Sequence, residues 1–216
     1  MNVFLDLDGT LTDPACGITR CLEHALHALG YRCPPQSELE CYIGPPLRDC
    51  FGELLPQASF ETIDRAIALY RQRFDRVGLF ENVLYPHAAE FLACLRRDGH
   101  RLRLVTSKPH VYAERILDHF KVARCFAGVH GAELSGAKGD KATLVGMALD
   151  ASESSPEDAC MVGDRSHDII GARAHGVATI GVLWGYGSEA ELRAAGADSL
   201  ACTMTDVRAR LRLLGG

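Results

Sequence analysis

The sequence has no basic block, no apolar run near the length of a membrane span and no Cys-x-x-Cys pair. Each absence removes a class of protein. Its 23 Lys and Arg against 28 Asp and Glu give a formal net charge of −5. With no clustered basic stretch, that balance argues against a nucleic-acid footprint. No apolar stretch approaches the roughly 20 residues needed to cross a bilayer. Near Met1 no basic segment leads into a long apolar run, so no secretory signal is expected. The nine cysteines are odd in number and irregularly spaced, and no tight Cys/His cluster accompanies them. Neither a disulfide framework nor a zinc site is expected. Cys21, Cys94 and Cys160 fall in apolar patterns and read as small core residues. A reduced protein of the cytoplasm follows, with no membrane or nucleic-acid partner. There is no internal repeat and no low-complexity segment.

What remains is a chain of 216 residues, 47% hydrophobic and 24% charged. That is globular material for one domain of ordinary size and a smaller companion. Its most informative stretch is Asp6-Leu7-Asp8-Gly9-Thr10, directly after the apolar run Val3-Phe4-Leu5. Alternate residues of a strand share a side, so two carboxylates at i and i+2 are expected together at a strand end. Such crowding is unfavourable unless a cation or a division of labour compensates it. Gly9 permits a sharp turn and Thr10 adds a hydroxyl there. The pair alone is also compatible with an ordinary strand exit.

After this strand the period changes. Ile18, Cys21, Leu22, Ala25, Leu26 and Leu29 recur at helical spacing until Gly30. Ser37 and Glu40 form a candidate capping box, and Gly44-Pro45-Pro46 breaks the chain. A second long helix, with Ser59 as candidate N-cap, carries Ile63, Ala66, Ile67, Tyr70 and Phe74 on one face. Residues 14–80 therefore read as an all-helical insertion, too long for a simple loop. From Pro86 helices and strands alternate. The strand at Leu102–Val105 stops at Thr106-Ser107-Lys108-Pro109, and Lys141 opens a later helix. The strand Ala159–Val162 ends at Gly163-Asp164, and a last clear strand lies near Thr179–Val182. Alternation of this kind predicts an α/β fold, a parallel sheet wrapped by helices. The expected division is a core of residues 1–13 and 81–216 with the insertion at 14–80.

In open α/β sheets the site lies beyond the carboxyl ends of the strands. There the sequence collects Asp6, Asp8, Thr106, Asp164 and Asp168, with Lys141 nearby. Acids, one hydroxyl and one lysine suit phosphoryl transfer through a carboxylate. Mg²⁺ prefers hard oxygen ligands and would sit among Asp6, Asp164 and a backbone carbonyl, with Asp8 also placed among the metal residues. Asp6 is the expected nucleophile, forming an aspartyl-phosphate. Asp8 is the expected acid and then base. Thr106 and Lys141 are the expected phosphate-binding pair. Asp168 would orient the metal's surroundings or Lys141.

These four segments, in order from Asp6 to Asp168, resemble the four motifs of the haloacid dehalogenase (HAD) superfamily. The resemblance implies a Rossmann-like core, Mg²⁺ dependence and a helical cap in the position of the insertion. The second acid, Asp8, is what a dehalogenase lacks and a phosphatase needs. The overall pattern looks most similar to phosphoglycolate phosphatase-like proteins, which implies hydrolysis of a small phosphorylated metabolite. The cap segment Tyr42-Ile43-Gly44-Pro45-Pro46-Leu47-Arg48 is also similar to relatives that act as 5′-nucleotidases. A sugar-phosphate phosphatase or phosphomutase is a further alternative. A phospho-accepting receiver domain is the alternative of another class, opposed by the first-strand acceptor and the large insertion. Arg48, Ser107 and Lys108 are candidate substrate contacts. Trp184 reads as a core residue; its loop resembles a glycine-containing loop after the superfamily's fifth strand, which implies a place at the border of the site, and His167 reads as a bystander. A monomer and a homodimer are both compatible with the sequence.

Overall fold

β1 (Asn2–Leu5) is wholly buried, and both of its edges are used. The computed structural model describes residues 1–214. After β1 come β2 (Thr12–Asp13), α1 (Ala15–Ala28), α2 (Gln36–Leu39), α3 (Leu47–Leu54), α4 (Phe60–Arg73) and β3 (Val83–Leu84). The remainder is α5 (Ala88–Arg97), β4 (Arg101–Pro109), α6 (His110–His119), β5 (Phe126–Ala132), α7 (Lys141–Ser152), β6 (Ala159–Gly163), α8 (Ser166–Arg173), β7 (Ala178–Val182), α9 (Glu189–Ala194), β8 (Ser199–Ala201) and α10 (Met204–Leu214).

Six strands form one sheet in the order β5-β4-β1-β6-β7-β8, every neighbouring pair parallel. Their short apolar runs are continuous because a parallel sheet is covered on both faces. Phe4, Val105 and Met161 pack with Leu144, Val145 and Ala148 of α7 and Ala172 of α8. By strand alternation Val3, Leu5, Leu102 and Leu104 face the other way, and all are buried. The chain winds from β1 out to β5 and then returns past β1 to β6. Strand order therefore reverses beside β1, and a crevice at the carboxyl ends follows.

The chain divides into two compact units, one of residues 1–12 and 84–216 and one of residues 13–83. The second of these, the helical unit, holds α1, α2, α3 and α4. Inside it α1 and α4 are neighbours, with Cys21, Leu22 and Ala25 buried on one and Ile63, Ala66, Ile67 and Tyr70 on the other. Ser59 accepts from Thr62 N at 3.2 Å and caps α4. No capping box forms at Ser37, which lies inside the four-residue α2, where Pro35 is the N-cap and no side chain caps. A proline entering the helix from extended backbone sets that start instead. Cys21 and Cys160 are buried as expected, but Cys94 is only half-buried, its sulfur beside Arg97. The last expected strand is not the last in the sheet, for β8 adds an edge and α10 follows it. No helix among the described residues is long and apolar enough to cross a membrane.

Candidate active site

The carboxyl ends of β1, β4 and β6 bring together Asp6, Thr106 and Asp164, all buried, with Lys141 at the first turn of α7 and Asp168 in that of α8. Asp140 caps α7 by accepting from Thr143 N at 2.8 Å, which fixes where Lys141 leaves the backbone. The Lys141 ammonium lies 2.9 Å from Asp6 Oδ1, 2.7 Å from Asp168 Oδ1 and 3.0 Å from the Val105 carbonyl. Its partners are all protein oxygens. Burial alone would pull its pKa down, but Asp168 and Asp6 outweigh that and raise it. Lys138, close by in sequence, instead pairs with Glu133 on the surface.

Asp164 is fully buried. Thr10 donates its hydroxyl to Oδ1 at 3.1 Å, and Tyr186 N donates to Oδ2 at 2.8 Å. Burial, with Asp168 and Asp6 nearby, pushes the Asp164 carboxyl up to about 8. Burial also lifts Asp168, against the pull of Lys141. The backbone is moulded to Asp164. Gly9 has φ +84°, and a Cβ there would stand 2.2 Å from Asp164 Oδ2. A Cβ on Gly185 or Gly187 would strike Asp164 at 2.4 or 1.9 Å. Trp184 Nε1 donates to the Thr10 carbonyl at 3.1 Å and ties this loop to the first-strand turn. The loop after β7 therefore does border the site. Its resemblance to a glycine-containing loop of the haloacid dehalogenase superfamily was the signal for it, while the tie from Thr10 to Asp164 had none.

One carboxylate oxygen from each of Asp6, Asp164 and Asp168 lies within 4.8 Å of the others, a buried group able to hold a metal ion. The donors are all hard oxygens, as a divalent cation of the Mg²⁺ type requires. Charge gives the same answer. When all are ionised, Asp6, Asp8, Asp164 and Asp168 outnumber Lys108 and Lys141 by two negative charges in a buried setting, which one divalent cation would balance.

Asp8 stands apart from this group. Its carboxylate pairs with Lys108, with both side chains largely buried. The Thr12 hydroxyl is 3.5 Å away. Burial raises the Asp8 pKa and Lys108 opposes it. Asp168, expected outside the metal residues, thus offers an oxygen to the cluster, whereas the Asp8 side chain does not. Lys108 N donates to Thr106 Oγ1 at 3.3 Å, leaving the Thr106 hydroxyl proton to point elsewhere. Ser107 is half-buried beside it and His167 is exposed. Arg48 belongs to the helical unit, where it pairs with Asp64 on an exposed face.

The family model for haloacid dehalogenase-like hydrolases matches residues 3–182. The chain belongs to the haloacid dehalogenase-like hydrolase family. It is 44% identical to a 5′-nucleotidase of Pseudomonas aeruginosa over 89% of this chain and 87% of that protein. It is 40% identical to the tyrosine-protein kinase PtkA of Mycobacterium tuberculosis over 86% of this chain, spanning 62% of that protein. Phosphoglycolate phosphatase of Vibrio parahaemolyticus stands at 27% over 95% and 93%. The crystal structure of a predicted phosphatase from Clostridium acetobutylicum matches with a TM-score of 0.92 at 36% identity, over 97% of each chain. Among these haloacid dehalogenase-like relatives the chain stands as a phosphoric monoester hydrolase.

Proposed function

We propose that this phosphatase hydrolyses a small phosphate monoester through Asp6, with Mg²⁺ held by Asp6, Asp164 and Asp168. The observation that carries the reading is the buried triad of carboxylates around Lys141, with a fourth carboxylate, Asp8, held separately by Lys108. Two kinds of carboxylate, one set fixed and one apart, suit a nucleophile and a proton carrier. When bound, Mg²⁺ would offset the charge of an incoming phosphoryl group.

Asp6 Oδ attacks phosphorus, the P–O bond to the alcohol breaks, and Asp8 supplies the proton the departing alkoxide takes up. Water then attacks the phosphorus of the aspartyl-phosphate, Asp8 accepts a proton, and phosphate leaves with Asp6 regenerated. Lys141 holds the free oxygen of Asp6 and balances its charge. Thr106 offers its hydroxyl proton to a phosphoryl oxygen, because its own oxygen accepts from Lys108 N. Asp164 is held by Thr10 and the Tyr186 amide so that the metal oxygens meet without a large rearrangement.

For the substrate, a nucleoside 5′-monophosphate is the first choice. The 44% identity to a 5′-nucleotidase supports it over phosphoglycolate, whose phosphatase stands at 27%. Ser107 and Lys108 at the end of β4 are the proposed substrate contacts of the core, and Arg48 that of the helical unit. A panel tests the order: AMP, CMP, UMP, phosphoglycolate and glucose 6-phosphate, each with Mg²⁺ and then with EDTA. Metal-dependent release of phosphate, fastest from a nucleotide, is the expected result. Preference for phosphoglycolate would restore the second reading. Transfer of phosphate from ATP to protein tyrosine, with no monoester cleaved, would overturn both.

A further inference from the structure

At the opposite edge of the sheet lies a second concentration of charge. The start of β4, the start of β5 and the end of α5 border an open cleft of about 300 Å³, which shares lining residues with a hollow of about 500 Å³. Arg96, Arg124 and Cys125 line both. Arg101 and His100 line the first and Arg97 the second. No Asp or Glu lines either one.

Several arginines elsewhere meet carboxylates, Arg20 and Arg73 on Glu81, Arg165 on Glu191, Arg173 on Asp198 and Arg208 on Asp98. Arg96, Arg101 and Arg124 meet none among the described residues, and Arg97 reaches the Cys94 sulfur at 2.9 Å. The neighbouring acid, Asp98, is taken by Arg208 at 2.5 Å and Arg212 at 3.6 Å. Basic residues often complement a helix end, and Arg96 and Arg97 sit in the last turn of α5. That end is already satisfied, however. Cys94 O accepts from Asp98 N, Leu95 O from His100 N and Arg96 O from Gly99 N. Arg101 opens β4, and Arg124 lies in the single 3-10 turn Ala123–Cys125. His100 Nδ1 in the same wall is buried with no partner.

We propose that this cleft binds a small anion carrying at least two phosphate groups, at a site separate from the catalytic edge. Arg96, Arg101 and Arg124 line the cleft and Arg96, Arg97 and Arg124 the adjoining hollow, so a phosphate group in each would meet planar arginine forks suited to its oxygens. A nucleic-acid partner is disfavoured by the net charge of −5. Arg101 opens β4, and Thr106 lies five positions along it, on the order of 17 Å away. An anion in the cleft therefore cannot reach the catalytic carboxylates. The inference does not depend on which ester the catalytic edge hydrolyses.

Pyrophosphate titrated calorimetrically into the full-length protein tests this, in EDTA and against sodium chloride of matched ionic strength. Three proteins are compared: wild type, Arg96→Ala/Arg124→Ala, and Thr106→Ala. The expected result is saturable binding to one site, unchanged in Thr106→Ala and weakened about tenfold or more in the arginine variant, a loss of at least one charge-assisted contact. The arginine variant should hydrolyse p-nitrophenyl phosphate at the wild-type rate with Mg²⁺, which shows that it folds. Orthophosphate should bind about tenfold more weakly than pyrophosphate. Absent saturation, equal affinity in the arginine variant, or loss in Thr106→Ala would overturn the site. Equal affinity for orthophosphate and pyrophosphate would overturn the requirement for two phosphate groups.

Discussion

The two ends of β4 carry charge in opposite styles. At the carboxyl end the groups are buried, of both signs, and held by named partners: Lys141 against Asp6 and Asp168, Lys108 against Asp8, Thr10 on Asp164. At the amino end they are exposed and of one sign, with Arg101 and Arg124 unpaired among the described residues. Burying a charge without compensation costs several kcal/mol, so a closed network of this kind stands out only where the fold is shaped to support it. The glycines pressed on Asp164 are that shaping. Exposed arginines cost little, and convergence on one cleft without an acid is what singles them out.

The contrast can be broken first at Asp6. Asp6→Asn should lower Mg²⁺-dependent turnover by about 10⁴-fold or more, as loss of a nucleophile does, with retained circular dichroism checking the fold. Next is Asp8. In Asp8→Asn the rate on an alkyl ester such as AMP should fall by about 10²–10⁴-fold, the usual contribution of a positioned acid. The rate on p-nitrophenyl phosphate should fall less, because its leaving group needs less protonation. Equal losses on both esters would remove the proton-carrier role.

Stability separates the ends next. Lys141→Met leaves Asp6 and Asp168 buried without their cation and should lose about 3–5 kcal/mol in urea unfolding. Arg124→Ala, on the exposed edge, should stay within about 0.5 kcal/mol. The pH dependence has a definite sign. Asp164 titrates near 8 in the fold against an ordinary value of 3.8, so the native state holds the proton more tightly than the unfolded state. The stability this provides is complete below the ordinary value and lost as pH rises to about 8. Protein in EDTA should therefore melt lower at pH 8 than at pH 6, Mg²⁺ should reverse the loss, and Asp164→Asn should flatten the difference. The smallest effect is expected at the arginine cleft, where Arg96→Ala/Arg124→Ala should leave turnover within about twofold.

Much of the core could be read from the chain. Strand ends marked by Asp6, Thr106 and Asp164, with a helix-opening Lys141, needed only the rule that α/β sites gather at carboxyl ends. Asp8 shows where such reading stops. Its i+2 spacing suggests the same side as Asp6, but β1 ends at Leu5 and Asp8 already lies in the turn, where Gly9 N donates to Thr12 O at 2.8 Å. Strand alternation no longer applies, and Lys108, distant in sequence, decides the direction of its carboxylate. Asp168 lies in the first turn of α8, and its approach to Asp6 is set by the packing of β6 against β1. β8 is three residues long and half-buried, too short for a period to appear. The arginine cleft was illegible because its residues come from three segments, each ordinary alone.

The central claim is that Asp6 carries the phosphoryl group. Borohydride added during turnover of AMP with Mg²⁺ reduces an acyl phosphate to an alcohol, which peptide mass spectrometry reads as homoserine at position 6. The account predicts that conversion at Asp6, dependent on substrate and metal and absent with EDTA. Steady turnover with position 6 unmodified, or the modification found on another carboxylate, would contradict it.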